Sequence, residues 1–273
     1  MDIALFSPSS LFGDDTGCSG DENESAQESH LERIHKFPGM ELAIREFSFH
    51  QLNANLLWPG TFVFADWLLQ HRELIEGRRC IELGRCLLHP SGLFLFSILL
   101  FGSYRTVSRH FSGTGGLAIF LFKSFKLDIT TSDYDDPKIL ENIAYNCGIN
   151  GINPPLPHIK HSWGDDFPVS DPSWDVIIAS DILLYVKQYP NLITTLSFLL
   201  KAYKPSPDSS LRETREPKFV MSWRRRIGKD EESLFFGGCE SAGLSVQHLG
   251  SRVFCIQPSS NPVLNADQVE AQA

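Results

Sequence analysis

Apolar and polar positions along this chain follow two rhythms in turn, and the switching predicts strands interleaved with helices. Residues suited to strands occupy 40–49 and run into a Leu56-Leu57-Trp58-Pro59-Gly60 turn. The Pro-Gly pair predicts a helix start, because proline's fixed φ suits the first helical position and its missing N–H is not needed there. Phe62, Val63, Ala65, Leu68 and Leu69 then mark out a helical face as far as His71. A core strand is expected at 79–83 and another at 129–133. Asp135-Asp136-Pro137 predicts the next helix start, with an acid at the positive helix end. Ile139, Leu140, Ile143, Ala144 and Cys147 repeat at helical spacing, and Gly148 supplies the stop. Further strands are expected at 158–161 and 174–181, the latter a continuous β-branched run of the kind buried on both faces. A helix is read at 190–201 and a polar loop at 206–217. A strand at 219–223, a helix at 230–242 and a closing hairpin at 244–249 and 253–256 complete the pattern. The order implies one α/β domain built on a mostly parallel seven-stranded sheet with one antiparallel edge strand.

Composition adds the boundaries. Of the net charge of −9, seven negative charges fall in residues 1–30, which contain no Lys or Arg, leaving −2 for the remainder. Residues 1–36 are expected to be a disordered acidic tail, 37–258 the folded domain and 259–273 a C-terminal tail. A nearly neutral body argues against nucleic acid as a partner. The six cysteines form no CxxC pair and no His-rich spacing accompanies them, so no metal site is expected and the thiols are read as reduced. Asp2 stands where a signal peptide would carry positive charge. The longest apolar stretch, near 87–101, contains His89, Pro90 and Gly92 and is shorter than the ~20 residues of a membrane span. The expectation is a soluble monomer with no membrane contact, cytoplasmic with nuclear entry open.

The candidate chemistry centres on residues 113–123, Gly-Thr-Gly-Gly-Leu-Ala-Ile-Phe-Leu-Phe-Lys, where closely spaced glycines open into a helix. Small residues there let backbone N–H groups approach a ligand, with the positive helix end behind them. Some residues later a β-prone run ends in Asp133, placed to accept hydrogen bonds from ribose hydroxyls. Such a loop should follow a strand directly. Here Arg79-Cys80-Ile81-Glu82-Leu83-Gly84 lies upstream, separated from it by residues 85–111. With that segment removed the join reads Ile-Glu-Leu-Gly-Ser-Gly-Thr-Gly-Gly.

Taken in order, these motifs resemble the S-adenosylmethionine-dependent methyltransferases of family 16, the group that includes methyltransferase-like protein lysine methyltransferases. Leu57-Trp58-Pro59-Gly60 resembles the family's tryptophan before the first helix, and Ile81-Glu82-Leu83-Gly84 with Ser112-Gly113-Thr114-Gly115 its E-L-G-x-G-T-G loop. Thr131-Ser132-Asp133 is similar to its ribose-binding acid, Ser162-Trp163-Gly164 to its W-G after the third strand, and Ser180-Asp181 to its A-D or S-D after the fourth. The resemblance implies a Rossmann-like class I fold and methyl transfer from S-adenosylmethionine to a protein substrate, at lysine first. It implies cofactor contacts from Trp58, Glu82, Gly84, Gly113, Gly115, Asp133, Trp163 and Ser180, with Trp163 beside the adenine. Asp181 would orient the acceptor, assisted by Tyr185. The family usually shows Asp-x-x-Tyr or Phe at that point; in Asp181-Ile182-Leu183-Leu184-Tyr185 the aromatic falls one residue late. Trp223-Arg224-Arg225-Arg226 reads as a solvated basic loop.

Residues 85–111 are crowded with apolar side chains and read as a retained intron or mis-joined gene. Arg85-Cys86 and Ser112 can be coded so that excision restores one Ser codon in frame. The alternative is a genuine surface insertion, which loop-closure entropy tolerates. Four functional readings stay open at this point: the protein methyltransferase, methylation of arginine or a small molecule, a non-catalytic binding isoform with its cofactor loop broken, and an NAD-dependent oxidoreductase.

Overall fold

The strands between residues 79 and 222 carry β-branched and other apolar side chains at consecutive positions, so both faces of their sheet need covering. The computed structural model describes residues 30–47, 57–84, 113–205 and 216–259. In it, β1 (His30–Phe37) and β2 (Met40–Phe47) form an antiparallel hairpin. A seven-stranded sheet follows: β3 (Arg79–Leu83), β4 (Asp128–Asp133), β5 (His158–Lys160), β6 (Val176–Ser180), β7 (Lys218–Ser222), β8 (Leu244–Gly250) and β9 (Val253–Pro258). Its order is β5-β4-β3-β6-β7-β9-β8. Strands β3 to β7 pair in parallel, and β9 runs antiparallel between β7 and β8. The antiparallel strand therefore sits one in from the edge, and the hairpin it makes with β8 closes that side.

Among the described residues five α-helices pack on the strands: α1 (Pro59–Gln70), α2 (Gly116–Phe125), α3 (Pro137–Ile149), α4 (Tyr189–Lys201) and α5 (Lys229–Ser241). Pro59 and Pro137 occupy first-turn positions, and Asp136 accepts from the Lys138 N–H as N-cap. Alternate residues of β6 part to opposite sides. Val176 and Ile178 join a core with α1, α2, α3 and β2, whereas Ile177 and Ala179 join a second core with α4 and α5. Helix α2 has no polar face, since residues 116–121 are all buried between the sheet and the hairpin. Phe37 of β1 stacks on Phe120 at 5.0 Å between centroids. None of the helices among the described residues is long and apolar enough to cross a membrane.

One boundary moves. β1 starts at His30, inside the segment expected to be acidic tail, and is laddered to β2 along its length from His30↔Phe47 to Phe37↔Met40. Its side chains are mostly exposed, with Leu31 and Ile34 outward, so it gives no burial pattern to read. The rest of the expected N-terminal tail, residues 85–111, most of the 206–217 loop and nearly all of the C-terminal tail lie outside the described residues.

Candidate functional site

The sheet changes direction of growth at β3: its crossover partner β4 lies on one side and β6 on the other. Carboxyl ends of strands at such a switch point diverge and leave a crevice. Here the crevice encloses about 750 Å³ including its open mouth and is lined by Leu57, Trp58, Thr61, Glu82, Leu83, Gly84, Gly113, Thr114, Gly115, Leu117, Thr131, Ser132, Asp133, Ile143, Ser180 and Ile182.

The two halves of the interrupted glycine loop meet in this crevice. A Cβ on Gly84 would lie 2.0 Å from Asp133 Oδ2, and one on Gly113 2.4 Å from the same oxygen. Two backbones separated by 28 residues thus converge on one buried carboxylate, 6% exposed, whose Oδ1 accepts the Tyr134 N–H at 2.8 Å. Gly115 has φ +64°, a conformation that favours glycine, and a Cβ there would press on Ile143 at 3.1 Å. It is the N-cap of α2. Glu82 reaches the same helix end, where its Oε2 accepts the Ala118 N–H at 3.0 Å. Burial pushes the Glu82 carboxyl up to about 7, with the Ala118 hydrogen bond pulling the other way.

The opposite rim is built differently. Ser180 Oγ and Thr61 Oγ1 are 2.9 Å apart and both line the crevice. Asp181, next in sequence, is fully buried and does not line it. Its φ is +54°; its Oδ1 accepts the Arg224 N–H and its Oδ2 the Arg226 Nη2, each at 3.1 Å. Gly60 makes room for it near the start of α1, since a Cβ there would lie 2.1 Å from Oδ2. The Arg226 guanidinium also lies 4.0 Å from the Trp58 ring centroid. The basic loop expected to be solvated keeps Arg224 and Arg225 exposed, and it is also anchored: Arg226 to Asp181, Arg225 to Glu232 at 2.5 Å, and Trp223 by its indole N–H to Glu232 at 2.8 Å.

Of the ten residues expected at the site, Trp58, Glu82, Gly84, Gly113, Gly115, Asp133 and Ser180 are brought together. Trp163 is not: it is 5% exposed in the core beneath α4, where Gly164 donates its N–H to Thr195. Tyr185 is half-buried against the core on the α1 side and is not among the crevice residues. Asp181 is adjacent but committed to arginine. Thr61, Ser132 and Ile143 line the crevice without having been expected there as site residues. Ser132 stood inside the Thr131-Ser132-Asp133 motif and Ile143 carried its helical spacing on α3, whereas Thr61 carried no sequence signal.

Comparison with known proteins follows the same lines. A family model described as lysine methyltransferase matches residues 103–242, 140 of the 273 residues. Aspergillus fumigatus protein N-terminal and lysine N-methyltransferase efm7 is 25% identical over 183 residues, covering 63% of this chain and 59% of that protein. Xenopus laevis histone-arginine methyltransferase METTL23 is 26% identical over 147 residues, covering 53% and 51%. The chain thus spans between half and three fifths of the length of these curated relatives. Among solved structures, the T. Thermophilus 16S rRNA N2 G1207 methyltransferase RsmC, in complex with AdoMet and guanosine, superposes with a TM-score of 0.51 at 12% identity, covering 88% of this chain and 53% of that one. That likeness concerns the fold.

Proposed function

The chain belongs to the lysine methyltransferase family 16, and on that footing we propose that it transfers a methyl group from S-adenosylmethionine to a protein side chain, lysine first and arginine second. The observation that carries this reading is the convergence of Gly84 and Gly113 on Asp133 at the switch point. It gives a glycine-walled crevice with a carboxylate at the end of β4 and a helix N-terminus beside it. Those groups suit a cofactor with ribose hydroxyls for the carboxylate and an amino-acid carboxylate for the helix N-terminus.

Bound there, S-adenosylmethionine would supply an electrophilic methyl carbon on a sulfonium. The chain's own residues then have modest tasks. Asp133 accepts from hydroxyls, and Gly84, Gly113 and Gly115 keep side chains out of the cradle. Glu82 offers a carboxylate at the α2 end. In-line displacement needs no enzyme nucleophile, so positioning does most of the work. A lysine acceptor must lose a proton from a group with an ordinary pKa of ~10.4. Asp181 is fully buried and accepts from Arg226 and the Arg224 N–H, so Ser180, Thr61 and Trp58 present the rim an acceptor meets. The buried, unpaired Cys80, Cys147, Cys239 and Cys255 support a reducing compartment.

Calorimetric titration with S-adenosylhomocysteine and with NAD, on the full chain and on one lacking residues 85–111, tests this. Binding of S-adenosylhomocysteine by both forms supports an active enzyme; binding by the deletion alone supports a cofactor loop broken in this isoform. NAD binding in its place would overturn the methyltransferase reading. Transfer of radiolabel from S-adenosylmethionine into a cell extract would then identify the acceptor.

A further inference from the structure

Two asparagines of α3 and a third at its C-cap perform a task that the proposed chemistry has not used. Asn142, Asn146 and the C-cap Asn150 stand four residues apart along one side of the helix and are 0%, 0% and 8% exposed. Four helical residues advance about 6 Å, close to the ~6.6 Å of two strand residues. Amide side chains at this spacing can therefore match the backbone groups of a strand lying along the helix, and β2 lies there. Asn150 Oδ1 accepts the Ala43 N–H at 3.1 Å and its Nδ2 donates to the Ala43 carbonyl at 2.6 Å. Asn146 Oδ1 accepts the Arg45 N–H at 2.7 Å and its Nδ2 donates to the Arg45 carbonyl at 3.3 Å. The amides stand in for a neighbouring strand.

Two of the three also reach in the other direction. Asn146 Nδ2 donates to the Thr114 carbonyl at 3.0 Å, and Asn142 Nδ2 to the Gly113 carbonyl at 3.5 Å. Asn150 spends its remaining donor on the Asn146 carbonyl of its own helix, at 2.7 Å. In a planar trans peptide the C=O and the following N–H point in opposite directions. A carbonyl held from behind by α3 aims its partner N–H away from α3, toward the crevice that Thr114 and Gly115 line.

We propose that Asn146, assisted by Asn142, is a positioning residue: it grips the loop peptides by their carbonyls, aims the Gly115 and Thr114 N–H groups into the ligand crevice, and makes that aim depend on docking of the β1–β2 hairpin. The identity of the ligand rests on the methyltransferase reading; the grip on the loop does not. Asn150 is the built-in control, since it holds the same strand by the same chemistry without touching the loop.

Full-length Asn146→Ala, Asn146→Asp, Asn142→Ala and Asn150→Ala are compared by hydrogen exchange without ligand and by calorimetry with S-adenosylhomocysteine. Asn146→Asp keeps an oxygen for the Arg45 N–H but removes the donor to Thr114. Exchange over 114–118 should rise at least tenfold in both Asn146 variants and less in Asn142→Ala. It should stay within twofold in Asn150→Ala, even though amides of 40–47 exchange faster there too. Affinity should fall about tenfold or more in the Asn146 variants and less than threefold in Asn150→Ala. If Asn146→Ala does not fold, Asn146→Asp and Asn142→Ala carry the same contrast with Asn150→Ala. Equal loop exchange in Asn150→Ala and the Asn146 variants, or unchanged exchange in Asn146→Asp, would overturn the proposal. Absence of S-adenosylhomocysteine binding by the wild-type chain, with the expected exchange contrast intact, would sink the methyltransferase reading and leave the positioning role standing.

Discussion

The two rims of the crevice solve different problems. On the β3–β4 side, glycines leave space and carboxylates face it, and the polar groups offered to a ligand are mostly backbone. On the β6–β7 side, the one strongly acidic group, Asp181, is already neutralised by Arg226 and the Arg224 N–H. The contrast teaches that the acid of the first rim faces the crevice, whereas the acid behind the second is already engaged by the chain's own groups. Cofactor affinity and acceptor turnover should therefore respond to different substitutions.

The largest effect should follow from Asp133→Ala. Two charge-assisted hydrogen bonds of roughly 1.5–3 kcal/mol each translate into a loss of S-adenosylhomocysteine affinity of about 100-fold or more by calorimetry. An affinity within fivefold of wild type would mean that the first rim does not hold a ribose. Next comes Arg226→Ala, which strands a buried carboxylate; exposure of the Arg226 side chain (21%) and the remaining Arg224 N–H place the cost at about 2–3 kcal/mol. Denaturant titration should show that loss while cofactor affinity stays within a few-fold. If affinity falls as far as in Asp133→Ala, the rims are not separable.

A smaller, pH-dependent effect belongs to Glu82. Its carboxyl titrates near 7 in the folded protein against an ordinary 4.5. Between those values the folded state keeps a proton that the unfolded chain has released, so this group's contribution to stability falls as pH rises through the window. The full shift would be about 3 kcal/mol; water in the crevice reduces it to about 1–2. His158 acts in the opposite sense, because burial lowers it from 6.5 to about 4 and the unfolded chain takes up the proton first. The difference between wild type and Glu82→Gln across pH 4.5–7 isolates the carboxyl. A flat difference would contradict its burial. The smallest effect is expected for Tyr185→Phe, whose ring lies off the crevice. Turnover should change less than twofold, and a tenfold loss would restore Tyr185 to the chemistry.

The same division governs what could be read from the residues alone. Glycines and strand-end acids act through the backbone positions they occupy, so Gly84, Gly113, Gly115 and Asp133 were recognisable by order and spacing, even across 28 intervening residues. The position expected for Trp163 came from a motif, and its ring lies in the core beneath α4, outside the residues that line the crevice. Arg226 and Asp181 are 45 residues apart, and nothing local announces that their side chains meet. β1 went unrecognised because its hold on the fold is a backbone ladder, while its side chains stay mostly in water. The asparagines of α3 left a visible trace, a four-residue repeat of one polar residue type among apolar neighbours, whose meaning appears only once β2 is laid against it.

Because Gly84 and Gly113 approach the same oxygen, the described stretch that ends at residue 84 and the one that begins at residue 113 meet at one point of the fold. The upstream part ends in β3, which fits between β4 and β6 with five register pairs on one side and three on the other, both supplied by the downstream part. A chain severed between the two glycines would therefore keep every strand partner of the central sheet. Co-expressed as separate polypeptides, the halves should find one another and co-purify, a natural split point for a two-piece reporter.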